Sequence, residues 1–217
     1  MKNLLEKELR LATSPLAWLF LAFSAMVMIP GYPILMGCFF LCLGLFQSFQ
    51  AARESSDILY TTLLPVRKGD AVKAKYIAVC FFELLDLILM AGFTALRMTV
   101  FSRSPVYETN VMMSPNPVFL AFAAWIFTLF NAIFVGGFFR TAYKIGKPFV
   151  FFIVASMLTI GVAETLHHIP ALRFLHAPGG ERMGLQWTVL ALTLLLCVAV
   201  TLLSEKRAER RFAQIDL

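Results

Sequence analysis

The chain has 217 residues, of which 59% are hydrophobic and 15% charged, with 22 Phe. Soluble domains lie nearer about 45–50% apolar and about 25% charged, so a soluble enzyme or binding module is excluded first. The formal net charge of +6 does not indicate nucleic acid, because Lys and Arg collect in the cytoplasmic loops of membrane proteins and an excess is first a topology signal.

Taken in order, residues 1–12 set Leu4, Leu5 and Leu9 on one side and Lys2, Glu6, Lys7 and Arg10 largely on the other. That pattern predicts a short amphipathic helix at the headgroup level, or else a polar lead-in to the first span. Acids mix with the bases there and no small-residue cleavage site follows, so it does not read as a signal peptide. From Leu11 to Ala52 no residue is charged. The run is about twice the roughly 20 residues that one spanning helix needs. Pro30-Gly31-Tyr32-Pro33 divides it, predicting spans over 13–29 and 33–52 joined by a tight turn.

A polar interruption follows, with Arg53, Glu54, Asp57, Arg67, Lys68, Asp70, Lys73 and Lys75 arriving together. In hydrocarbon each charge would cost roughly 2.5–3.5 kcal/mol or more, so this stretch faces water between two spans. Ile58, Leu59 and Leu63 predict the apolar face of a short helix that Pro65 terminates. Asp70 reads as the cap of the helix leading into span 3, over 76–96. Further spans are predicted at 117–139, 148–166 and 184–203, with loops at 97–116, 140–147 and 167–183 and a charged tail.

The expectation is an all-α integral membrane protein: one transmembrane domain over 1–217, six spans, both termini cytoplasmic. Its basis is the positive-inside rule. Lys2, Lys7, Arg10, Arg53, Arg67, Lys68, Lys73, Lys75, Arg140, Lys144, Lys147, Lys206, Arg207, Arg210 and Arg211 fall on one side, leaving Arg97, Arg103, Arg173 and Arg182 on the other. No internal repeat links the two groups of three spans, so an inverted-repeat transporter gains no support.

No catalytic residue is assigned. Gly146-Lys147 is followed by Pro148, and Thr141 stands where a phosphate-binding loop needs Gly, so the chain lacks the usual means of hydrolysing nucleotide. Cys38, Cys42, Cys80 and Cys197 fall within spans and read as small apolar residues. His167, His168 and His176 near Glu164 have the wrong spacing for one helix face, and no metal site is assigned. Glu83 and Asp86 stand at i, i+3 in span 3 and form the candidate intramembrane polar site. They fit a substrate or proton path and a structural pair equally well. The loop around Arg53–Arg67 likewise fits either an anchor on anionic lipid headgroups or a docking element with apolar anchors and a charged rim.

The order Arg53-Glu54-x-x-Asp57, Leu64-Pro65-Val66-Arg67 and Val72-x-x-Lys75-Tyr76 between spans 2 and 3 resembles the small bacterial permeases of the type-2 ABC exporter superfamily. It is most similar to the branch that includes the permease subunits of the staphylococcal phenol-soluble modulin exporter. The resemblance implies a plasma-membrane subunit that exports amphipathic or antimicrobial peptides. It also implies a cytoplasmic coupling helix on which a separate ATPase docks. Two permeases, identical or related, would pair with two ATPases, which hold the ATP and Mg; the permease binds no cofactor itself. Carried over, the docking residues are Arg53, Glu54, Asp57, Ile58, Leu59, Leu63, Pro65 and Arg67, with Arg140–Lys147 as a second contact. Two other classes fit the residues: a proton-coupled secondary transporter using Glu83 and Asp86, and a non-transporting immunity or scaffold protein.

Overall fold

The computed structural model describes residues 2–101, 104–108, 112–141, 144–166, 169, 172 and 182–215. The three histidines, Arg103 and Arg173 lie outside them. Described elements are all helical: α1 (Lys2–Ala12), α2 (Pro15–Met28), α3 (Met36–Glu54), α4 (Asp57–Leu63), α5 (Lys68–Thr99), α6 (Pro105–Glu108), α7 (Pro117–Phe138), α8 (Gly146–Leu166) and α9 (Met183–Ala213).

The amphipathic N-terminal segment is a helix, and it meets α2 at 81°. Ser14 makes the corner: its hydroxyl accepts from Leu16 N, its own N–H bonds Ser48 Oγ at 2.8 Å, and Pro15 opens the next helix. The second half of α2, Leu21–Met28, is wound as a 3-10 helix. That winding rises about 2.0 Å per residue rather than 1.5 Å, so 14 residues reach about 25 Å and approach the thickness of the hydrocarbon layer. At its end two side chains take the terminal carbonyls. Arg97 donates to Val27 O at 2.6 Å, and Tyr107, whose ring lies 4.1 Å from the Arg97 guanidinium, donates to Met28 O.

Gly31 (φ +71) turns the chain back into α3. Gly37 and Gly44 face α2 so closely that a Cβ on Gly37 would lie 2.8 Å from Phe23 O, and one on Gly44 would lie 3.0 Å from Ala17 Cα. Lipid supplies no hydrophobic drive for helix association, so such small-residue contacts and tight packing hold the hairpin.

α5 begins earlier than the spans predict. The basic approach to span 3 is itself helical, so the helix runs 32 residues from Lys68. Arg67, not Asp70, occupies the cap position, and no side chain caps that end. Asp70 sits in the first turn, where its charge favours the helix dipole. α9 also outruns its predicted span. The charged tail remains helical to Ala213, burying Ala208 and Phe212 against the base of the bundle.

α7 is the central helix. Asn116 caps it by accepting from Phe119 N at 2.8 Å, and Pro117 occupies the first turn. Within it Phe134 meets Phe46 and Phe49 of α3 and Phe149 of α8, with ring centroids 5.0–5.6 Å apart. Each such pair contributes about 0.5–1.5 kcal/mol beyond its area. α8 and α9 leave most of their apolar surface outward, including Phe151, Leu158, Leu192 and Leu195. That is the disposition of lipid-facing helices.

By length and composition α5, α7, α8 and α9 can each cross a membrane, and the bent pair α1–α2 makes a fifth candidate. α3 has 19 residues, but its last two turns carry Gln47, Ser48, Gln50, Arg53 and Glu54, which lowers its apolar content. Gly44→Leu forces a side chain into the α2 backbone. It is expected to lower the thermal midpoint of the detergent-purified protein by an amount equivalent to about 1–3 kcal/mol, whereas Gly92→Leu, which meets open space, leaves it unchanged.

Candidate functional site

The polar interruption folds into a helix with two unlike faces. Ser56 in the left-handed conformation (φ 54) breaks the chain after α3, and extended Leu64 ends α4 before Pro65. On the inner face, Asp57 pairs with Lys7 at 2.6 Å and Thr61 accepts from Lys7 at 2.7 Å. Ile58 packs on the core. Lys7 also reaches Glu8 at 3.4 Å, and Glu8 pairs with Lys75 of α5 at 2.6 Å. Both side chains of this last pair are only 7% exposed, and the Lys75 ammonium sits 5.3 Å from the centre of the Phe49 ring. One ionic chain therefore ties α4 to α1 and α1 to α5.

On the outer face Leu59, Tyr60, Leu63 and Leu64 are exposed, Leu63 by 76% and Tyr60 by 71%. Arg53, Glu54, Pro65 and Arg67 are exposed around them, as are Arg140 and Lys144 of the neighbouring loop. The sequence-derived docking set thus divides. Asp57 and Ile58 turn inward, because a carboxylate one helical turn from Thr61 meets the Lys7 ammonium and cannot also face outward. Tyr60 joins the outer patch instead. Sequence reasoning passed over it, along with Lys7, Glu8 and Lys75, whose opposite charges in the first helix and at the head of span 3 were the available signal. The C-terminal end of α9 braces the same region: Lys68 donates to Ile215 O at 2.6 Å and Lys73 pairs with Glu209 at 3.3 Å.

Farther along α5, Glu83 and Asp86 are both buried, and their hydrogen bonding differs. Glu83 turns to α7, where Oε2 accepts from Asn131 Nδ2 at 2.6 Å. Asp86 is fully buried on the side of Cys38 and Cys42 in α3, and neither of its oxygens is hydrogen-bonded. Three residues of helix rotate a side chain by nearly a full turn, so the two acids stay neighbours on one side of α5, and Cys42 of α3 feels the charge of both. Asn131 lies in a π-helical turn, Phe130–Val135. Its carbonyl there accepts from Tyr76 and Ser204 hydroxyls, both at 3.2 Å, and these hydroxyls are 2.9 Å apart. Such turns recur at functional sites. A lone amide in an otherwise apolar span was the sequence signal for Asn131. Glu164, at the far end of α8, accepts from Met113 N at 2.9 Å. No group of three metal-ligating side chains occurs among the described residues.

The buried ion pair gives a sharp expectation. Lys75→Met leaves Glu8 buried without its partner and is expected to cost roughly 3–5 kcal/mol in thermal or denaturant unfolding in detergent. The double variant Glu8→Leu/Lys75→Met should recover much of that loss, since no buried charge is then stranded. Equal loss in both would show that the residues act through packing rather than charge.

These helices, with a charged base and a central apolar bundle, match a described family. A family profile described as "ABC-2 family transporter protein" matches residues 3–206. No curated protein and no solved structure matched the chain. Spanning nearly the whole sequence, the profile match establishes that the chain belongs to the ABC-2 family of transporter membrane proteins.

Proposed function

We propose that the chain is the permease subunit of an ATP-driven exporter, docked through the outer face of α4 on a separate ATPase that supplies the ATP and Mg chemistry. Membership in the ABC-2 family implies an ATPase partner in general. The observation that carries the reading is the two-faced α4: its inner side is tied by ions to α1 and α5, while Leu59, Tyr60, Leu63 and Leu64 stand bare beside exposed Arg53, Glu54 and Arg67. Apolar anchors inside a charged rim are the composition of a protein interface. A helix that served as a lipid anchor alone would have no use for Glu54 in that rim.

On this reading the basic end is cytoplasmic, consistent with the concentration of Lys and Arg there, and the chain crosses the bacterial plasma membrane six times, with α3 as a span despite its polar last turns. The permease works as a dimer, with itself or a related chain, and is not catalytic alone. Closure of the ATPases on nucleotide pushes α4 and shifts the transmembrane helices between inward-open and outward-open populations. The resemblance of the loop to the phenol-soluble modulin exporter permeases supports amphipathic or antimicrobial peptides as the cargo, ahead of lipids or hydrophobic drugs.

Leu63→Asp and Tyr60→Asp are expected to abolish co-purification of the ATPase while leaving the permease folded in detergent. Asp57→Asn is expected to lower thermal stability and leave association largely intact. Full ATPase retention by both outer-face variants would overturn the placement of the interface.

A further inference from the structure

Between α5, α7 and α9 lies a cavity of about 310 Å³ with Glu83 and Asn131 in its lining. Its walls are apolar, formed by Leu84, Phe127, Leu194, Val198 and Leu202 among others, and Leu84, Val198 and Leu202 are each more than half exposed at its lipid-facing edge. Of the polar side chains in its lining, which also include Cys80, Thr128, Cys197 and Thr201, Glu83 and Asn131 each leave a buried acceptor unpaired. Glu83 is 5% exposed and Asn131 2%, yet Glu83 Oε1 and Asn131 Oδ1 have no N–H or O–H partner. Glu83 gains only the weakly donating Cys80 thiol nearby. The Asn131 amide N–H is already given to Glu83 Oε2, and the Thr128 hydroxyl is given to Ala124 O at 2.9 Å.

Unpaired acceptors in an apolar site cost free energy until a donor arrives, and a buried carboxyl group holds its charge only while a cation stands beside it. A primary ammonium supplies three N–H donors and the countercharge together. The apolar walls and lipid-side opening suit an alkyl chain or apolar body attached to it. No Lys or Arg lines the cavity, which disfavours a head group that also carries phosphate.

The geometry points to this cavity as a binding site for the primary ammonium group of a phosphate-free cationic amphiphile, held by Glu83 and Asn131. Its role as a cargo subsite rests on the permease reading; the binding itself does not.

The test uses the full chain in phosphatidylcholine nanodiscs without any ATPase, titrated with dodecylammonium, dodecyltrimethylammonium or dodecanol, with empty discs subtracted. Hydrogen bonds to a charged group are about twice as strong as those between neutral groups. Dodecylammonium is therefore expected to bind about tenfold or more tightly than dodecyltrimethylammonium, which has the charge without N–H donors, and more tightly than dodecanol. Glu83→Gln should erase that preference. Val198→Trp, which fills the cavity from the far wall and leaves both acceptors in place, should weaken dodecylammonium about tenfold as well. Equal affinity for the three probes, or a preference that survives Glu83→Gln, overturns the proposal. So does loss of dodecylammonium binding when phosphatidylethanolamine is added to the discs, since the site would then belong to a lipid head group. Failure on any of these counts leaves the ATPase-docking reading untouched, because no ATPase is present.

Discussion

The pairing of Glu8 with Lys75, 2.6 Å apart and almost closed to solvent, is the constraint from which the charged end of the molecule takes its form. Two ions removed from water are costly, and each is tolerable only while the other is in place. That mutual dependence fixes where α1 lies against α5. Once α1 is fixed, Lys7 is presented to Asp57 and Thr61, and α4 is held against the bundle with its apolar face outward. An amphipathic helix resting only on lipid would have no such obligation. Here α1 is a structural member of the bundle, bent 81° from the helix it precedes.

The interior answers a different problem. Helices in lipid gain little from apolar contact with one another, so their arrangement depends on shape and on polar groups that must be satisfied inside. Both appear on α7. Its Phe residues interlock with those of α3 and α8, and its π turn gives the Asn131 carbonyl to Tyr76 and Ser204. Gly136, just beyond that turn, admits α9: a Cβ there would lie 2.9 Å from Ser204 Oγ. The three helices that enclose the cavity are thus joined by hydrogen bonds on the side nearer the charged end.

Much of the architecture was legible because hydropathy and punctuation carry it. The division at Pro30–Pro33, the Asn116-Pro117 start of α7 and the short helix ended by Pro65 all have local causes that a sequence displays. What local reading missed was long-range. Nothing near Glu8 announces Lys75, 67 residues away, and an N-terminal segment with acids and bases reads as a helix at the headgroup level when its partners are in other helices. The same holds for Glu83 and Asp86: spacing shows that two side chains share a helix face, but not that Asn131, 48 residues away, donates to one of them. Helix ends fared unevenly: the helix leading into span 3 was read from Asp70, close to its actual start at Lys68, whereas α9 continues through a charged tail where hydropathy ends but hydrogen bonding and side-chain pairing do not.

The joints of α4 determine how displacement at that helix would travel. On one side it is hinged at Ser56, a single left-handed residue, and on the other it leaves through the extended Leu64–Arg67 stretch. Neither joint is a continuous rod, so the backbone transmits force poorly in both directions. The side chains do not share that weakness. Lys7 grips Asp57 and Thr61, Glu8 grips Lys75, and Lys75 stands on a helix of 32 residues, about 48 Å long, that runs unbroken past Glu83. α4 also lies directly against α5, with Ile58 and Thr61 beside Ala71 and Lys75, so α4, α1 and α5 meet at the charged base, and α5 is one wall of the cavity that Asn131 and α9 close. The ion pairs of the charged base and the Glu83–Asn131 hydrogen bond within the apolar layer are thereby carried on one continuous helix, α5.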